Sequence, residues 1–200
     1  MNITTQEFLH QKFNPRSDQI PPVRLKRFKR QNLAKLFGEL GFRRGAEVGV
    51  AEGKFSVVLC ESIPDLHLSA VDLWKPYKRD DHYLKNQSMQ DEALALAHEK
   101  LDKHNVTFIC EPSTEAVKQF EPGSLDFVYI DADHAFDFVM QDLIVWSKIV
   151  KSGGIVSGHD YYRFRGAGVV DAVNAYTHAH QINEWFVCDE RETSFFWANP

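Results

Sequence analysis

The sequence predicts an α/β fold, with a mostly parallel sheet covered by helices on both faces and completed by an antiparallel hairpin. Three observations predict it. Short apolar runs alternate with helical stripes between residues 45 and 177, the pattern of repeated strand–helix units. Residues 45–56, Gly-Ala-Glu-Val-Gly-Val-Ala-Glu-Gly-Lys-Phe-Ser, form a glycine-rich strand-to-helix turn of the kind that faces a ligand at the carboxyl edge of such a sheet. Two late apolar runs, 185–188 and 194–197, flank the charged stretch Asp189-Glu190-Arg191-Glu192-Thr193, as a hairpin requires.

The elements follow in order. Thr4 and Glu7 have capping-box spacing, with Ile3 and Phe8 at the positions of a hydrophobic staple, so a short helix begins at Thr5 and ends at Asn14-Pro15. Residues 16–23, with Pro21-Pro22, read as an extended connector, and Leu33, Leu36, Phe37 and Leu40 as a helical stripe closed by Gly41. The basic run Arg24, Lys26, Arg27, Lys29 and Arg30 reads as a solvated helix face, because the formal net charge of the chain is -5. Residues 45–50 form the first buried strand. Residues 53–62 form a helix with Phe55, Val58, Leu59 and Ser62 on one face, and Pro64 separates it from a second strand, 66–71, that ends at Asp72.

A polar insertion begins at Trp74 and is a candidate lid; behind it lies a helix in which Leu94, Ala97 and Leu101 share a side. Residues 106–110 are a third strand, and 113–120 a short helix with Ser113 or Thr114 at its N-cap. Residues 125–130 are a fourth strand running into Asp131-Ala132-Asp133-His134. The next helix carries Phe136, Val139, Met140 and Leu143 at helical spacing to Trp146, and Ser152-Gly153-Gly154 turns the chain into a fifth strand, 155–157, ending at Gly158-His159-Asp160. Residues 169–177 are helical and precede the hairpin.

The 200-residue chain reads as a single domain, with an N-terminal helical layer over 1–41 and a core over 42–200. Its negative charge argues against nucleic acid or an anionic membrane as partner. Cys60, Cys110 and Cys188 are odd in number and far apart in sequence, so they suggest neither a disulfide framework nor a zinc cluster and point to a reduced cytoplasm. No apolar run has the roughly 20 residues that span a bilayer, and residues 1–8 lack a secretory pattern. Homo-oligomers are left open.

Spacing narrows the ligand. A dinucleotide fingerprint needs glycine at 49, 51 and 54, where this chain has Gly49, Ala51 and Lys54. What remains is an acidic residue on the strand, Glu47, with Gly49 and Gly53 after it and Asp72 at the end of the next strand. A carboxylate about 20 residues beyond the glycines can take both hydroxyls of a ribose, and Glu47 favours a cationic nucleoside over a phosphate. The turn resembles the first motif of class I S-adenosylmethionine-dependent methyltransferases. The runs Asp131-Ala132-Asp133-His134, then Asp142, Leu143 and Trp146, then Gly-Gly-Ile-Val-Ser-Gly-His159-Asp160-Tyr161, with Gly168-Val169 and Ala172-Val173, sharpen the likeness. They are similar to a small bacterial subgroup related to macrocin-type O-methyltransferases and, more distantly, to catechol O-methyltransferase.

That resemblance implies a Rossmann-like three-layer sandwich with a mostly parallel seven-stranded sheet and a C-terminal antiparallel hairpin. It implies S-adenosylmethionine as cofactor, with Glu47, Gly49 and Gly53 along the methionine part and Asp72 at the ribose. Glu111 and Ser113 would lie at the adenine and Asp131 near the transferring methyl. The acceptor would be a small molecule methylated at oxygen. Its hydroxyl must be deprotonated, by one of two routes. A divalent metal (Mg, Mn or Zn) on Asp131, His159 and Asp160 would lower the acceptor pKa. Alternatively His134 or His159 acts as general base with a neighbouring aspartate, and the catalytic residues are then Asp131, His134 and His159. Tyr161, Tyr162, Phe164 and Trp74 are candidates for an aromatic acceptor wall or for core. Two other readings share the architecture: a nicotinamide-dependent oxidoreductase and a non-catalytic S-adenosylmethionine-binding module.

Overall fold

A computed structural model describes residues 3–16, 18–76, 78–79, 82–83, 86–164 and 166–200. Helix α1 (Thr5–Phe13) starts at Thr4 with the expected capping box and stops at a left-handed Asn14. Strand β1 (Val23–Leu25) leads to α2 (Arg30–Glu39), β2 (Arg44–Val48), α3 (Lys54–Ser62) and β3 (His67–Val71). The short strands β4 (Lys78–Arg79) and β5 (His82–Tyr83) pair with each other apart from the main sheet, ahead of α4 (Gln87–Leu101). Then come β6 (Val106–Ile109), α5 (Ser113–Ala116) with a 3-10 turn Val117–Gln119, β7 (Leu125–Ile130), α6 (Phe136–Trp146) and β8 (Val150–Gly158). Helix α7 (Val169–Ala179) precedes β9 (Phe186–Cys188) and β10 (Phe195–Ala198).

The main sheet has eight strands in the order β1-β9-β10-β8-β7-β2-β3-β6. All neighbours are parallel except β10, which is antiparallel to both β8 and β9, the expected hairpin. The sheet is one strand wider than the seven implied by resemblance, because residues 23–25 add to its edge parallel to β9, Val23 facing Phe186. Val23 and Leu25 are buried there and Arg24 points out. The basic run therefore lies on a strand, a turn and the first residue of α2, not on one helix face. The turn expected at Ser152-Gly153-Gly154 is also absent: β8 runs through it, with a register irregularity opposite Leu125 and Phe127.

Burial follows the pleat. Phe127 and Tyr129 of β7 face a cluster with Phe37, Leu59, Phe186 and Phe196, whereas Val128 and Ile130 face the opposite cluster with Leu143, Trp146, Val173 and Trp197. Successive residues pointing to opposite, equally apolar faces make a central strand buried on both sides, and so a three-layer sandwich. The N-terminal helices are part of it, since Leu9, Leu33 and Phe37 share the first cluster. The carboxyl ends of β2, β3, β7 and β8 open on one rim, held by Gly49 N–H to Val71 O and Asp131 N–H to Val48 O. Gly49 sits at φ +96°, and a Cβ there would fall 2.0 Å from the Asp131 carbonyl oxygen. Glycine is required so that β2 and β7 can meet.

Candidate active site

The site begins at the turn after β2. Ala51 is left-handed at φ 49°, and it is held there from the next strand. Its N–H donates to Asp72 Oδ2 at 2.8 Å, its carbonyl accepts the Trp74 indole Nε1–H at 2.9 Å, and the Trp74 N–H donates to Asp72 Oδ1 at 3.0 Å. Trp74, only 3% exposed, is thus a core brace for the turn and not part of an acceptor wall. A cavity of about 400 Å³ opens beside this lock, lined by Gly49, Asp72, Glu111, Ser113, Asp131 and Asp142 among others.

Five of the residues assigned to the cofactor therefore border one space, and two stand behind it. Gly53 starts α3 at φ +74°, where a Cβ would lie 3.1 Å from Leu101 Cδ1 and 3.3 Å from Ala97 Cα; it serves the packing of α3 on α4. Glu47 is 2% exposed and accepts a hydrogen bond from Ser56. Burial pushes its carboxyl up to about 8, against the smaller opposing effect of Ser56. A raised folded-state pKa stabilises the protein below the unfolded value of 4.5 and loses that contribution as pH climbs through about 8. Thermal melts of the ligand-free protein should accordingly fall over this window, by roughly 1.4 kcal/mol per pKa unit realised. Glu47→Gln should flatten the decline, and an unaltered slope in the variant would contradict the buried-acid assignment.

The second half of the site gathers at the ends of β7 and β8. His134 Nε2 lies 2.8 Å from Asp160 Oδ2 and 3.7 Å from Asp131 Oδ1. His159 Nδ1 lies 3.3 Å from Asp160 Oδ1 and 3.6 Å from Asp131 Oδ2. The Asp131 and Asp160 carboxylates raise His134 to about 9 despite its partial burial. For His159 burial is the largest influence and opposes charge, but the two aspartates outweigh it and the pKa rises. Asp160 is driven well below the usual carboxylate range by the two imidazoles, although burial pushes the other way. Without a ligand, His134 is a cation at neutral pH, so it holds a proton where the general-base reading expects it to accept one.

The three side chains whose ligand atoms converge are Asp131, His134 and Asp160, all within 4.8 Å of one another. This set has His134 where the sequence reading put His159, because His134 at the head of α6 reaches back across the rim to Asp160. Two carboxylates and an imidazole fit a divalent cation. A further observation supports the fit: His134 Nε2 is buried, yet its short approach to Asp160 lacks hydrogen-bond geometry and it has no such partner among the described residues.

Of the aromatic candidates, Phe164 meets the His134 ring edge-on at 5.7 Å and stacks on Tyr162 at 4.6 Å, so these two border the cluster. Tyr161 instead gives its hydroxyl to Asn174 and packs on Trp185. Five residues of the proposed lid, 77, 80–81 and 84–85, lie outside the described residues. Ser113 does not cap α5, whose N-cap is Pro112; its hydroxyl donates to Asp142. Asp142 carries no site role in the sequence reading, although an acid on the buried stripe between Val139, Leu143 and Trp146 is itself a signal.

The family profile described as "Methyltransferase domain" matches residues 46–161, more than half of the 200-residue chain. No curated protein matches the sequence. Among solved structures, the O-methyltransferase from Bacillus cereus in complex with SAH is 13% identical, covering 98% of this chain and 90% of its own, with a TM-score of 0.60. A protein from Clostridium thermocellum provisionally called an rRNA-methylase is 13% identical over 88% of this chain and 100% of its own, with a TM-score of 0.63. At such identities the likeness is one of fold.

Proposed function

The chain belongs to the methyltransferase-domain family and is an S-adenosylmethionine-dependent methyltransferase; on that premise we propose that it methylates a hydroxyl group of a small molecule, and that it falls in the macrocin-type subgroup. The observation that carries this reading is the position of Asp131, which both lines the cavity and belongs to the Asp–His cluster. One carboxylate joins the space for the cofactor to the groups that can prepare an acceptor.

When bound, S-adenosylmethionine supplies an electrophilic methyl group. Asp72 keeps lone pairs free after its two backbone bonds and takes the ribose hydroxyls. Glu47 lies behind the turn at the methionine end, with Glu111 and Ser113 at the opposite end. Displacement at a methyl carbon demands an in-line nucleophile at close range, and Phe164 with Tyr162 would hold the acceptor beside the cluster. Asp131, His134 and Asp160 would hold a divalent cation, Mg, Mn or Zn, whose chemistry is to lower the pKa of a hydroxyl. The convergence of Asp131, His134 and Asp160 within 4.8 Å favours this route over one in which His159 is the base and Asp160 fixes its tautomer. Three unpaired cysteines fit a cytoplasmic setting. No helix of the described residues is long and apolar enough to cross a membrane.

A panel of small hydroxylated acceptors, followed by release of S-adenosylhomocysteine, tests the reading. Chelation should abolish turnover, and added Mn²⁺ or Mg²⁺ should restore it. Turnover indifferent to chelation would assign activation to His159. Cofactor binding without turnover on any acceptor would leave a binding module.

A further inference from the structure

The basic run 24–30 has one member whose side chain neither the fold nor the reaction has used. Arg30 opens α2, and its backbone N–H donates to Glu190 Oε1 at 3.0 Å, which fixes it against the tip of the β9–β10 hairpin. That tip stands at the reacting rim: Phe195 pairs with Gly158, the last residue of β8, and the Thr193 carbonyl accepts the Tyr161 N–H at 2.8 Å. The Arg30 guanidinium lies over the Phe55 ring at 5.5 Å, Phe55 packs on Tyr129 at 4.3 Å, and the Tyr129 ring lies 6.3 Å from that of His159. An aromatic face holds such a cation in place. The charge is felt as far as His159, where it opposes protonation of the imidazole.

Among the described residues no carboxylate forms an ion pair with this half-buried guanidinium, and no oxygen accepts a hydrogen bond from it. The acids nearby are otherwise engaged. Glu190 Oε1 takes the Arg30 N–H and the Ser194 hydroxyl at 3.1 Å, and Ser194 meets the Tyr129 hydroxyl at 3.0 Å. Asp189 accepts the Arg27 N–H and approaches Arg24 at 4.0 Å. Glu47, with its carboxyl raised to about 8 by burial, is largely uncharged at neutral pH. Arg30 does not line the cofactor cavity; its contacts run through the hairpin and β7 to His159. A planar guanidinium fork matches a carboxylate through two parallel hydrogen bonds.

We propose, resting on the methyl-transfer reading above, that Arg30 binds a carboxylate carried by the acceptor, so that the hydroxyl to be methylated belongs to an acidic small molecule. The acceptor is then held at two points, its carboxylate by the fork over Phe55 and its hydroxyl by the Asp–His cluster at the ends of β7 and β8. An uncharged analogue of the same shape leaves the fork without its counter-charge and binds more weakly. Arg30 is a specificity residue; it does not touch the reacting atoms.

The test is methyl transfer to matched pairs of small hydroxylated acids and their primary amides, such as protocatechuate and mandelate with the corresponding amides, in the wild type and in Arg30→Gln. The variant keeps the backbone bond to Glu190. The wild type should prefer the acid of a pair by at least about tenfold in kcat/KM. In Arg30→Gln that preference should collapse to within about threefold through a raised KM for the acid, with the amide and the affinity for S-adenosylhomocysteine unaffected. A wild type that prefers the amides, or treats both members alike, overturns the proposal. So does a preference that survives in Arg30→Gln, which would leave Arg30 as a cover for Phe55. A matching loss of S-adenosylhomocysteine affinity in the variant overturns it as well, by giving Arg30 to the carboxylate of the cofactor. Binding of S-adenosylhomocysteine with no turnover of any acid or amide would overturn the methyl-transfer reading and this inference with it.

Discussion

Asp160→Asn should lower methyl transfer by about 10²–10⁴-fold while leaving the affinity for S-adenosylhomocysteine within about threefold. Asp160 approaches both His134 and His159 but does not line the cofactor cavity, so binding and chemistry separate at this residue. Asparagine is the appropriate replacement, because Asp160 sits at φ 58° and asparagine tolerates the left-handed region that alanine resists. Loss of the negative charge removes one of two carboxylates from the converging set and the counter-ion of both imidazoles. The loss should appear in kcat. An unchanged kcat would exclude the cluster from catalysis, and an equal loss of cofactor affinity would show that the substitution disturbs the rim as a whole.

The second large effect is expected at Asp72. Asp72→Ala should weaken S-adenosylhomocysteine binding by at least about 100-fold, since hydrogen bonds to a charged acceptor contribute about 1.5–3 kcal/mol each and a ribose offers two donors. Part of that loss is indirect: alanine also releases the Ala51 and Trp74 N–H groups and loosens the turn. Trp74→Phe separates the contributions, because it removes only the indole bond to the Ala51 carbonyl and should cost about tenfold or less. Equal losses in the two variants would mean that the turn alone, and not a ribose contact, explains the role of Asp72.

The parts of this structure that were legible from sequence are those governed by local rules. Gly49 and Gly53 mark positions with φ of +96° and +74°, the Thr4–Glu7 capping box starts α1, and the alternating runs became β3, β6 and β7 within a residue or so. The strand ends converge because a parallel sheet leaves no other arrangement. What escaped depends on partners far away in the chain. Strand β1 has three residues and exists through its pairing with β9, too short a segment for any period to show. Ser113 looked like a helix cap, but its hydroxyl serves Asp142, 29 residues on.

The same limit shaped the site. His134 and His159 are equivalent on paper, each beside an aspartate. Only the course of the loop between β7 and α6 brings His134 Nε2 to 2.8 Å from Asp160 and gives the converging set its nitrogen. Trp74 opens a polar insertion and could be read as acceptor wall or as core; its indole braces the turn after β2. Glu47 was legible as a buried acid, but which wall of the strand it faced depended on Ser56 of α3.

The most direct measurement is a crystal structure of the protein with S-adenosylhomocysteine. The expected density places the ribose hydroxyls on Asp72, the purine toward Glu111 and Ser113 and the sulfur toward Asp131, with His134 and Asp160 beyond it. A nucleoside bound elsewhere on the molecule, or one seated in the cavity with its sulfur turned away from Asp131, would contradict the assignment of this rim as the place of methyl transfer.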